Sequence, residues 1–374
     1  MEPILMMDLI PQYRRMQAEM DEAVLGVIRS GQYINGDAVR SFSDALSEYT
    51  GSEFVIPCAN GTDALQIALM AFDLQPGDEV IVPAFTFIAA AEAAALLQLN
   101  LVPADVDPRT FNIDVQKLES LISPKTKVIV PVHLFGQTAD MAPILSIARK
   151  YGLYVLEDNA QSIGSVYTFP DGKQQQAGTI GDSGILSFFP TKNLGCYGDG
   201  GALLTGDASF ARKLRMIALH GRSQKYFHEI IGCNSRLDTL QAAVLMVKLR
   251  YLDACIQARK TSAMQYDAGL STRIDLLETP YCIPCSTHVY NQYTLKIKNG
   301  QRDKLQKYLK EKGIPTMVYY PTPLQDQPSV GKYLKLRGDL SESDTLCRSV
   351  LSLPMHTELT AEQIRYIIKQ IMNF

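Results

Sequence analysis

Short apolar segments alternate with helical patterns between residues 54 and 205. Four of these segments are nearly all apolar and end in turn or polar residues: "EVIVP" (79–83), "LVPADV" (101–106), "KVIVPVHLFG" (127–136) and "GLYVLED" (152–158). Strands that are apolar on both faces are typical of a parallel sheet covered by helices. Segments between them, such as 63–72 and 141–152, have the length and period of helices. The pattern predicts an α/β fold with helices on both faces of a mostly parallel sheet.

The pattern changes beyond residue 236 and predicts a second, smaller α+β domain. Its expected elements are one long helix over 236–270, an alternating strand over 290–297, a helix over about 301–312, and a final helix that begins at Thr360, where Gln363 completes a capping-box spacing. We therefore expect a large domain over 1–250 and a small domain over 251–374. The polar segment 166–178 has a hairpin-like pattern and is interpreted as a surface excursion.

The composition indicates a globular protein and argues against nucleic-acid binding and membrane insertion. A hydrophobic share of 46% and a charged share of 20% are typical of a globular chain. The net charge is −3 with no Lys/Arg run, which argues against nucleic-acid binding. No secretory pattern opens the chain, and the apolar run over 89–101 is interrupted by Glu92 and is too short to span a bilayer. We expect a cytoplasmic protein without a membrane partner.

The seven cysteines are scattered and odd in number, which suits reduced thiols better than a disulfide framework. Cys282 and Cys285 form a C-x-x-C pair that is compatible with zinc or redox chemistry. Structural zinc normally takes four protein ligands, and no second pair follows. We therefore expect no metal site.

Ligands of open α/β sheets bind outside the carboxyl ends of the strands, so we expect ligand-binding residues just past each apolar run. In "CANGTDALQIAL" (58–69), Asn60 and Gly61 form a turn and Thr62 opens a helix. Free amides at a helix start bind anions, although an ordinary helix cap is an alternative. In "LYVLEDNAQS" (153–162), Asp158 and Gln161 could contact two polar atoms of one flat ligand, or the acids could cap the following turn.

Two further segments carry candidate chemistry. "SFFPTKNLGCYGDGGA" (187–202) contains Lys192, and a buried lysine suits Schiff-base chemistry with a carbonyl compound, whereas most lysines are solvated charges. "IIGCNSRLDTLQAAVL" (230–245) gathers Asn234, Ser235 and Arg236 ahead of a helix. These residues could bind a carboxylate or phosphate, or could cap the helix.

Together the four segments supply a phosphate cradle, a carboxylate and an amine, the set that a pyridoxal 5'-phosphate (PLP) enzyme requires. A nicotinamide-dependent oxidoreductase would instead show G-x-G-x-x-G after an early strand, and "CANGTDAL" lacks that spacing. A non-catalytic PLP- or sugar-binding regulator is a third alternative. The presence of both Lys192 and Asp158 argues against it.

Six motifs occur in an order that resembles the DegT/DnrJ/EryC1 family of PLP-dependent nucleotide-sugar aminotransferases: "NGTDAL", "PAFTFIAAAEA", "VHLFGQTADM", "EDNAQSIGS", "SFFPTKNLGCYGDGGAL" and "NSRLDTLQAA". The resemblance covers nearly the whole chain. It implies the PLP-dependent transferase fold type I, with PLP as cofactor.

The resemblance also implies roles for individual residues. Lys192 would form the Schiff base with PLP and act as general base, and Asp158 would pair with the pyridinium nitrogen. The remaining cofactor contacts would come from Gln161 at the phenolic oxygen, from Gly61, Thr62 and Ser187 at the phosphate, from Phe87 stacked on the ring, and from Asn234 of the other subunit. Each site would then be complete only in a homodimer.

The substrate implied by the resemblance is a nucleotide sugar. Relatives that remove a hydroxyl carry histidine at the lysine position, so Lys192 favours transamination. The motifs are most similar to those of the branch that aminates C3 of a UDP-linked 2-acetamido-3-keto-hexuronic acid, with glutamate as donor, for surface polysaccharide synthesis. Amination at C4 of a 4-keto-6-deoxy sugar is the alternative. Arg236 would reach across the dimer to bind the uronate carboxylate, and Tyr320 would line the sugar pocket. His220 is close in sequence to the loop that carries Arg236 and is a further substrate-binding candidate. A packing or helix-capping role for His220 is an equal alternative.

Overall fold

The computed structural model describes residues 2–374, and helices account for much of this chain. They are α1 (Ile10–Arg15), α2 (Gln17–Ser30), α3 (Asp37–Thr50), α4 (Gly61–Ala71), α5 (Ala89–Leu96), α6 (Val115–Leu118), α7 (Met141–Tyr151), α8 (Ala208–Ala218), α9 (Thr239–Leu249), α10 (Leu252–Leu270), α11 (Arg302–Glu311), α12 (Ser341–Ser349) and α13 (Ala361–Met372). Within the described residues, no helix is long and apolar enough to cross a membrane.

The strands form one large sheet and three small ones. They are β1 (Phe54–Cys58), β2 (Glu79–Pro83), β3 (Asn100–Ala104), β4 (Thr126–Ile129), β5 (Tyr154–Asp158), β6 (Val166–Thr168), β7 (Gln174–Gln176), β8 (Ser183–Ser187), β9 (Gly201–Thr205), β10 (Arg222–Gln224), β11 (Phe227–His228), β12 (Leu277–Glu278), β13 (Tyr293–Ile297) and β14 (Val350–Leu353).

The large sheet has seven strands in the order β1-β9-β8-β5-β4-β2-β3. Strand β9 runs antiparallel to both of its neighbours, and every other pairing in this sheet is parallel. The predicted α/β class with a mostly parallel sheet is therefore confirmed. The carboxyl ends of β1, β5 and β8 lie at one edge, which brings their following loops together.

Both faces of the large sheet are buried, as the apolar strands predict. Val80 and Val82 pack into a core with helices α4, α5 and α8, whereas Ile81 between them points to the opposite face and packs with α6 and α7. Near β1 the opposite face is covered by α2, α3 and α9, whose side chains surround Phe42 and Leu46. Residues of alternating direction along a strand thus enter different cores.

The C-terminal part has its own sheet and its own core. Strands β12, β13 and β14 form a three-stranded antiparallel sheet. Helices α10, α11 and α13 pack on it, with Tyr266 and Tyr293 fully buried. The predicted capping box at the start of α13 is present, since the Thr360 and Gln363 side chains each accept a hydrogen bond from the other residue's backbone amide. The boundary between residues 250 and 251 stays a prediction.

The single long helix expected over 236–270 is wrong, because two helices occupy that range. The chain turns at Arg250 and Tyr251, between α9 and α10. Helix α9 is almost wholly apolar and packs against α2 and α3, whereas α10 packs against α13. The two helices therefore serve different cores, and a straight helix could not reach both.

The strand expected over 127–136 is also shorter than predicted. Strand β4 ends at Ile129, and residues 134–136 form a 3-10 turn in which Phe135 has a φ of 61°. The residues after Ile129 remain apolar because they are buried at the sheet edge. A buried turn and a buried strand share the same apolar composition, so periodicity alone could not separate them.

The predicted hairpin over 166–178 is present as the antiparallel pair β6–β7. It is not wholly a surface excursion, because Tyr167 is fully buried and packs with α7. Cys282 is exposed and Cys285 is half-buried, and both are free thiols. The Cys282 Sγ contacts the carbonyl oxygen of Ser286 at 3.3 Å.

Candidate active site

The two acids at the end of β5 have different environments. Glu157 is fully buried, and its Oε1 accepts hydrogen bonds from the amides of Ile180 and Gly181, each at 2.6 Å. Its Oε2 lies 2.8 Å from both the Gly178 amide and the His133 Nε2. Four donors thus satisfy this carboxylate, and it holds the loop after the β6–β7 hairpin against β5.

The ring of His133 has a defined tautomer. Its Nδ1 accepts a hydrogen bond from the Ala139 amide at 3.1 Å, so the ring proton resides on Nε2 and is donated to Glu157. The His133 amide donates to the main-chain oxygen of Asp158 at 2.9 Å. His133 therefore joins the turn after β4 to the end of β5.

Asp158 presents a free carboxylate oxygen. Its Oδ1 accepts a hydrogen bond from the Ala160 amide at 3.1 Å, and its Oδ2 has no hydrogen-bond partner within residues 2–374. Burial raises the pKa of Asp158, while the Ala160 amide and the positive charge of Lys192 oppose that rise. A cationic N–H placed at Oδ2 would satisfy this oxygen and favour the ionised form.

Lys192 lies in the loop between β8 and β9. Its amide donates to the Phe189 carbonyl oxygen at 2.8 Å, and a Cβ at Gly195 would lie 2.6 Å from the Pro190 carbonyl oxygen, so this tight turn requires glycine there. Burial lowers the pKa of Lys192 to about 8, and the nearby Asp158 carboxylate partly offsets the decrease. A neutral amine is therefore accessible close to physiological pH, as nucleophilic attack on a carbonyl requires.

The start of α4 forms an anion cradle. The Asn60 side chain caps the helix by accepting a hydrogen bond from the Asp63 amide at 2.8 Å. The amides of Gly61 and Thr62 have no acceptor within the described part of the chain. A Cβ at Gly61 would lie 2.8 Å from the Ser187 Cβ, so glycine allows the end of β8 to approach the helix start. Two free amides and nearby hydroxyls suit a phosphate group.

Gln161 and Tyr320 are joined directly. The Gln161 Nε2 donates to the Tyr320 hydroxyl at 3.1 Å, and the Gln161 Oε1 accepts from the Phe135 amide at 2.7 Å. The Phe87 ring is 55% exposed, and its centroid is 6.1 Å from that of Tyr320. A flat ligand beside Phe87 would thus meet an aromatic face that the protein core leaves open.

The residues predicted to act across a dimer lie outside this cluster of hydrogen bonds. Asn234 is exposed, and the Ser235 hydroxyl beside it accepts from the Ala59 amide at 3.0 Å. Arg236 lines a cavity of about 460 Å³ that also contains Arg215. His220 is exposed at the base of the β10–β11 hairpin, where its carbonyl oxygen lies 2.8 Å from the His228 Nδ1. No hydrogen bond among the described residues connects Asn234, Arg236 or His220 to Lys192.

Sequence reasoning missed the residues that support the cluster. His133 lies inside an apolar run and Glu157 precedes the predicted acid, so neither carried a distinct signal. Phe135 acts through its main-chain amide, which no side-chain pattern reveals. Asn60 lies in the predicted turn, and asparagine directly ahead of a helical pattern is a preferred N-cap, which is the signal that could have identified it.

The chemistry of these residues suits a phosphorylated carbonyl cofactor with a basic ring nitrogen. PLP fits each part: the free Asp158 Oδ2 suits its pyridinium N–H, the amine of Lys192 suits its aldehyde, and the open amides at Gly61 and Thr62 suit its phosphate. The chain belongs to the DegT/DnrJ/EryC1/StrS aminotransferase family, whose model matches residues 14–372. It is a PLP-dependent sugar aminotransferase, with fold type I architecture.

Similar proteins cover almost the full length of the chain. A pleiotropic regulatory protein from Geobacillus stearothermophilus is 44% identical over 99% of this chain and 98% of its own. A UDP-2-acetamido-2-deoxy-3-oxo-D-glucuronate aminotransferase from Pseudomonas aeruginosa is 44% identical over 98% of this chain and 99% of its own. The crystal structure of S. venezuelae DesV in complex with a ketimine intermediate has a TM-score of 0.94 and 35% identity, covering 100% of this chain and 98% of that one.

Proposed function

We propose that this aminotransferase moves an amino group from glutamate to C3 of UDP-2-acetamido-2-deoxy-3-keto-glucuronic acid. The likeness to the Pseudomonas aeruginosa enzyme, at 44% identity over nearly both full lengths, carries the choice of substrate. Arg236 forms no ion pair within the described residues, and it lines a cavity that it shares with Arg215 and with the acids Asp44 and Glu53. A guanidinium without a carboxylate partner could pair with the uronate carboxylate of the sugar.

The cofactor contacts are proposed residue by residue. PLP, when bound, supplies the aldehyde that carries the amino group and a ring that takes up the electron pair released at the substrate carbon. Asp158 would hold the ring nitrogen through its free Oδ2, and Phe87 would cover one ring face. The phosphate would be bound by the amides of Gly61 and Thr62 and by the Ser187 hydroxyl.

Lys192 is proposed as the residue that moves the proton. A pKa of about 8 leaves a substantial fraction of its amine neutral near pH 7.5, so it can accept a proton from the substrate carbon and return it. The Asp158 carboxylate raises the pKa of this amine against the effect of burial. The same pair that attaches the cofactor therefore also serves the proton transfers.

A homodimer in the cytoplasm is the proposed assembly, acting in surface polysaccharide synthesis. Tyr226 and Ile231, on the segment that leads to Asn234, are each 85% exposed. Large exposed apolar side chains in one segment are typical of a protein interface. In the proposed dimer a second copy would cover them, and Asn234 and Arg236 would contact the active site of that second copy.

Reduction with borohydride tests the covalent attachment. PLP-loaded protein should lose its visible absorbance band on reduction, and peptide mapping should find the cofactor on Lys192. Lys248 is a matched control, because burial also lowers its pKa to about 8, although it lies over the Tyr197 ring. Lys192→Ala should abolish labelling and Lys248→Gln should retain it; labelling that follows Lys248 would contradict the proposal.

A panel of keto-sugar nucleotides tests the substrate. We expect turnover of the 3-keto uronic acid with glutamate, and a higher KM for the corresponding 3-keto sugar that lacks the carboxylate. Arg236→Ala should raise the KM for the acidic sugar and leave that for the neutral sugar unchanged. Faster turnover of 4-keto-6-deoxy sugars would instead support C4 amination.

A regulatory role is the second candidate, because one relative of equal identity is named a pleiotropic regulatory protein. A regulator that binds PLP without turnover would still form the visible band. It would not convert that band on addition of glutamate. Conversion by glutamate and its reversal by a keto sugar therefore separate the two functions.

A further inference from the structure

The orientation of the Gln161 amide is fixed by its two partners. A backbone N–H can only donate, so the side-chain oxygen must face Phe135, at 2.7 Å. The nitrogen end then faces the Tyr320 hydroxyl, at 3.1 Å. Because that nitrogen has two hydrogens, one remains free when the Tyr320 hydroxyl has accepted the other.

The donor on the Phe135 side is rigid. Phe135 has a φ of 61°, a left-handed conformation that bulky residues rarely adopt. Its ring is 2% exposed and packs edge-to-face against Phe85 and Phe111, with centroid distances of 6.4 and 5.5 Å. The packed ring maintains this backbone conformation, and the amide is thereby aimed at Gln161.

Tyr320 holds the other end of Gln161 from the C-terminal part of the chain. Its hydroxyl accepts from Gln161, and its own proton has no acceptor within the described residues. Burial raises the pKa of Tyr320, and the Asp158 charge adds to the effect, so the hydroxyl stays protonated. The rings of Phe85 and Phe87 flank it at centroid distances of 6.2 and 6.1 Å.

We propose that Tyr320 is a positioning residue that acts through Gln161, beyond any contact it makes with the sugar. The inference rests on the proposed function, in which Gln161 meets the phenolic oxygen of PLP. With its oxygen held by Phe135 and one hydrogen held by Tyr320, the Gln161 amide directs its remaining N–H to the cofactor. Tyr320 therefore contributes to the reaction with glutamate, when no sugar is present.

The test compares Tyr320→Phe with Gln161→Ala in PLP-loaded protein. Each should shift the visible absorbance band or its pH dependence, weaken PLP binding, and slow conversion by glutamate alone by about tenfold, the loss expected for one hydrogen bond to a reacting group. The double variant should lose little more than Gln161→Ala. Tyr319→Phe is the matched control, because the Tyr319 hydroxyl makes no hydrogen bond among the described residues.

The inference would be overturned if Tyr320→Phe left the absorbance band and the glutamate reaction unchanged but raised the KM for the sugar. Tyr320 would then only line the sugar pocket. The proposed function would survive that outcome. Urea unfolding of the apoproteins provides a readout without cofactor: the Gln161 and Tyr320 variants should be non-additive, whereas additive losses would contradict a direct bond. Failure of wild-type protein to bind PLP would instead refute the proposed function.

Discussion

The imidazole of His133 donates from Nε2 to the Glu157 carboxylate at 2.8 Å, and both side chains are fully buried. The pair lies directly behind the strand end that carries Asp158, whose main-chain oxygen accepts from the His133 amide. A buried carboxylate that loses a donor retains its desolvation cost without full compensation. The His133–Glu157 pair therefore both positions the end of β5 and contributes strongly to the stability of this region.

His133→Ala should destabilise the apoprotein by about 2–4 kcal/mol, because it removes one donor from Glu157 and leaves the Ala139 amide without its acceptor. Urea unfolding followed by circular dichroism measures the change. Lys150→Ala, which breaks an exposed pair with Glu119, serves as control and should have a much smaller effect. Equal losses of unfolding free energy in the two variants would show that the buried pair is no more stabilising than the exposed pair.

The rate at which PLP attaches to the apoprotein should depend on the protonation of Lys192. Its pKa is lowered to about 8, so the rate should rise about tenfold per pH unit below pH 8 and level off above it, since only the neutral amine attacks the aldehyde. Stopped-flow absorbance between pH 6 and pH 10 records the profile. A midpoint near 10.5, the ordinary lysine value, would contradict the burial argument.

Asp158→Asn should move that midpoint to lower pH. The Asp158 carboxylate raises the pKa of Lys192 against the effect of burial, so its neutralisation leaves burial unopposed. Glu119→Gln removes a charge at an exposed site and should leave the midpoint unchanged. An upward shift of the midpoint in Asp158→Asn would contradict a carboxylate at Asp158 that raises the pKa of Lys192.

The sequence predicted the common edge of the sheet better than the strand ends, since the strand expected over 127–136 stops at Ile129. Parallel strands bring their following loops to one edge whatever their exact length. Gly61, Asp158 and Lys192 each follow or end an apolar strand, and the structure gathers their segments there. Their placement at a common edge therefore follows from topology alone. The roles implied by family resemblance remain proposals at each residue.

The supporting residues could not be predicted in the same way. Glu157 and Asp158 are adjacent, and which of them faces the ligand depends on what covers each side of β5. The turn at Phe135 is as apolar as a strand, so its positive φ leaves no trace in the hydrophobic pattern. Contacts from a second subunit depend on a surface that one chain's periodicity does not describe.

Gly61→Ala should weaken the binding of PLP more than that of pyridoxal, which lacks the phosphate. The added Cβ would lie 2.8 Å from the Ser187 Cβ and would push the strand end away from the helix start. We expect a loss of about tenfold or more in PLP affinity, equivalent to one good hydrogen bond. Gly26→Ala is the matched control, since its Cβ would meet nothing within 4 Å; an equal effect on both ligands would argue against a phosphate cradle.

Mixed dimers of Lys192→Ala and Asn234→Ala should regain activity if Asn234 serves the partner's site. In a hybrid, one site would then contain both substitutions and the other neither, whereas a site built from one chain would always carry one substitution. Random mixing of equal amounts makes half of the dimers hybrid, so about one quarter of all sites would be intact. The measurement is glutamate-driven amination by co-expressed and separately tagged chains, with each homodimer as baseline. Activity in the purified hybrid that does not exceed the Asn234→Ala contribution would place Asn234 in its own subunit's site and remove the main argument for an obligate dimer.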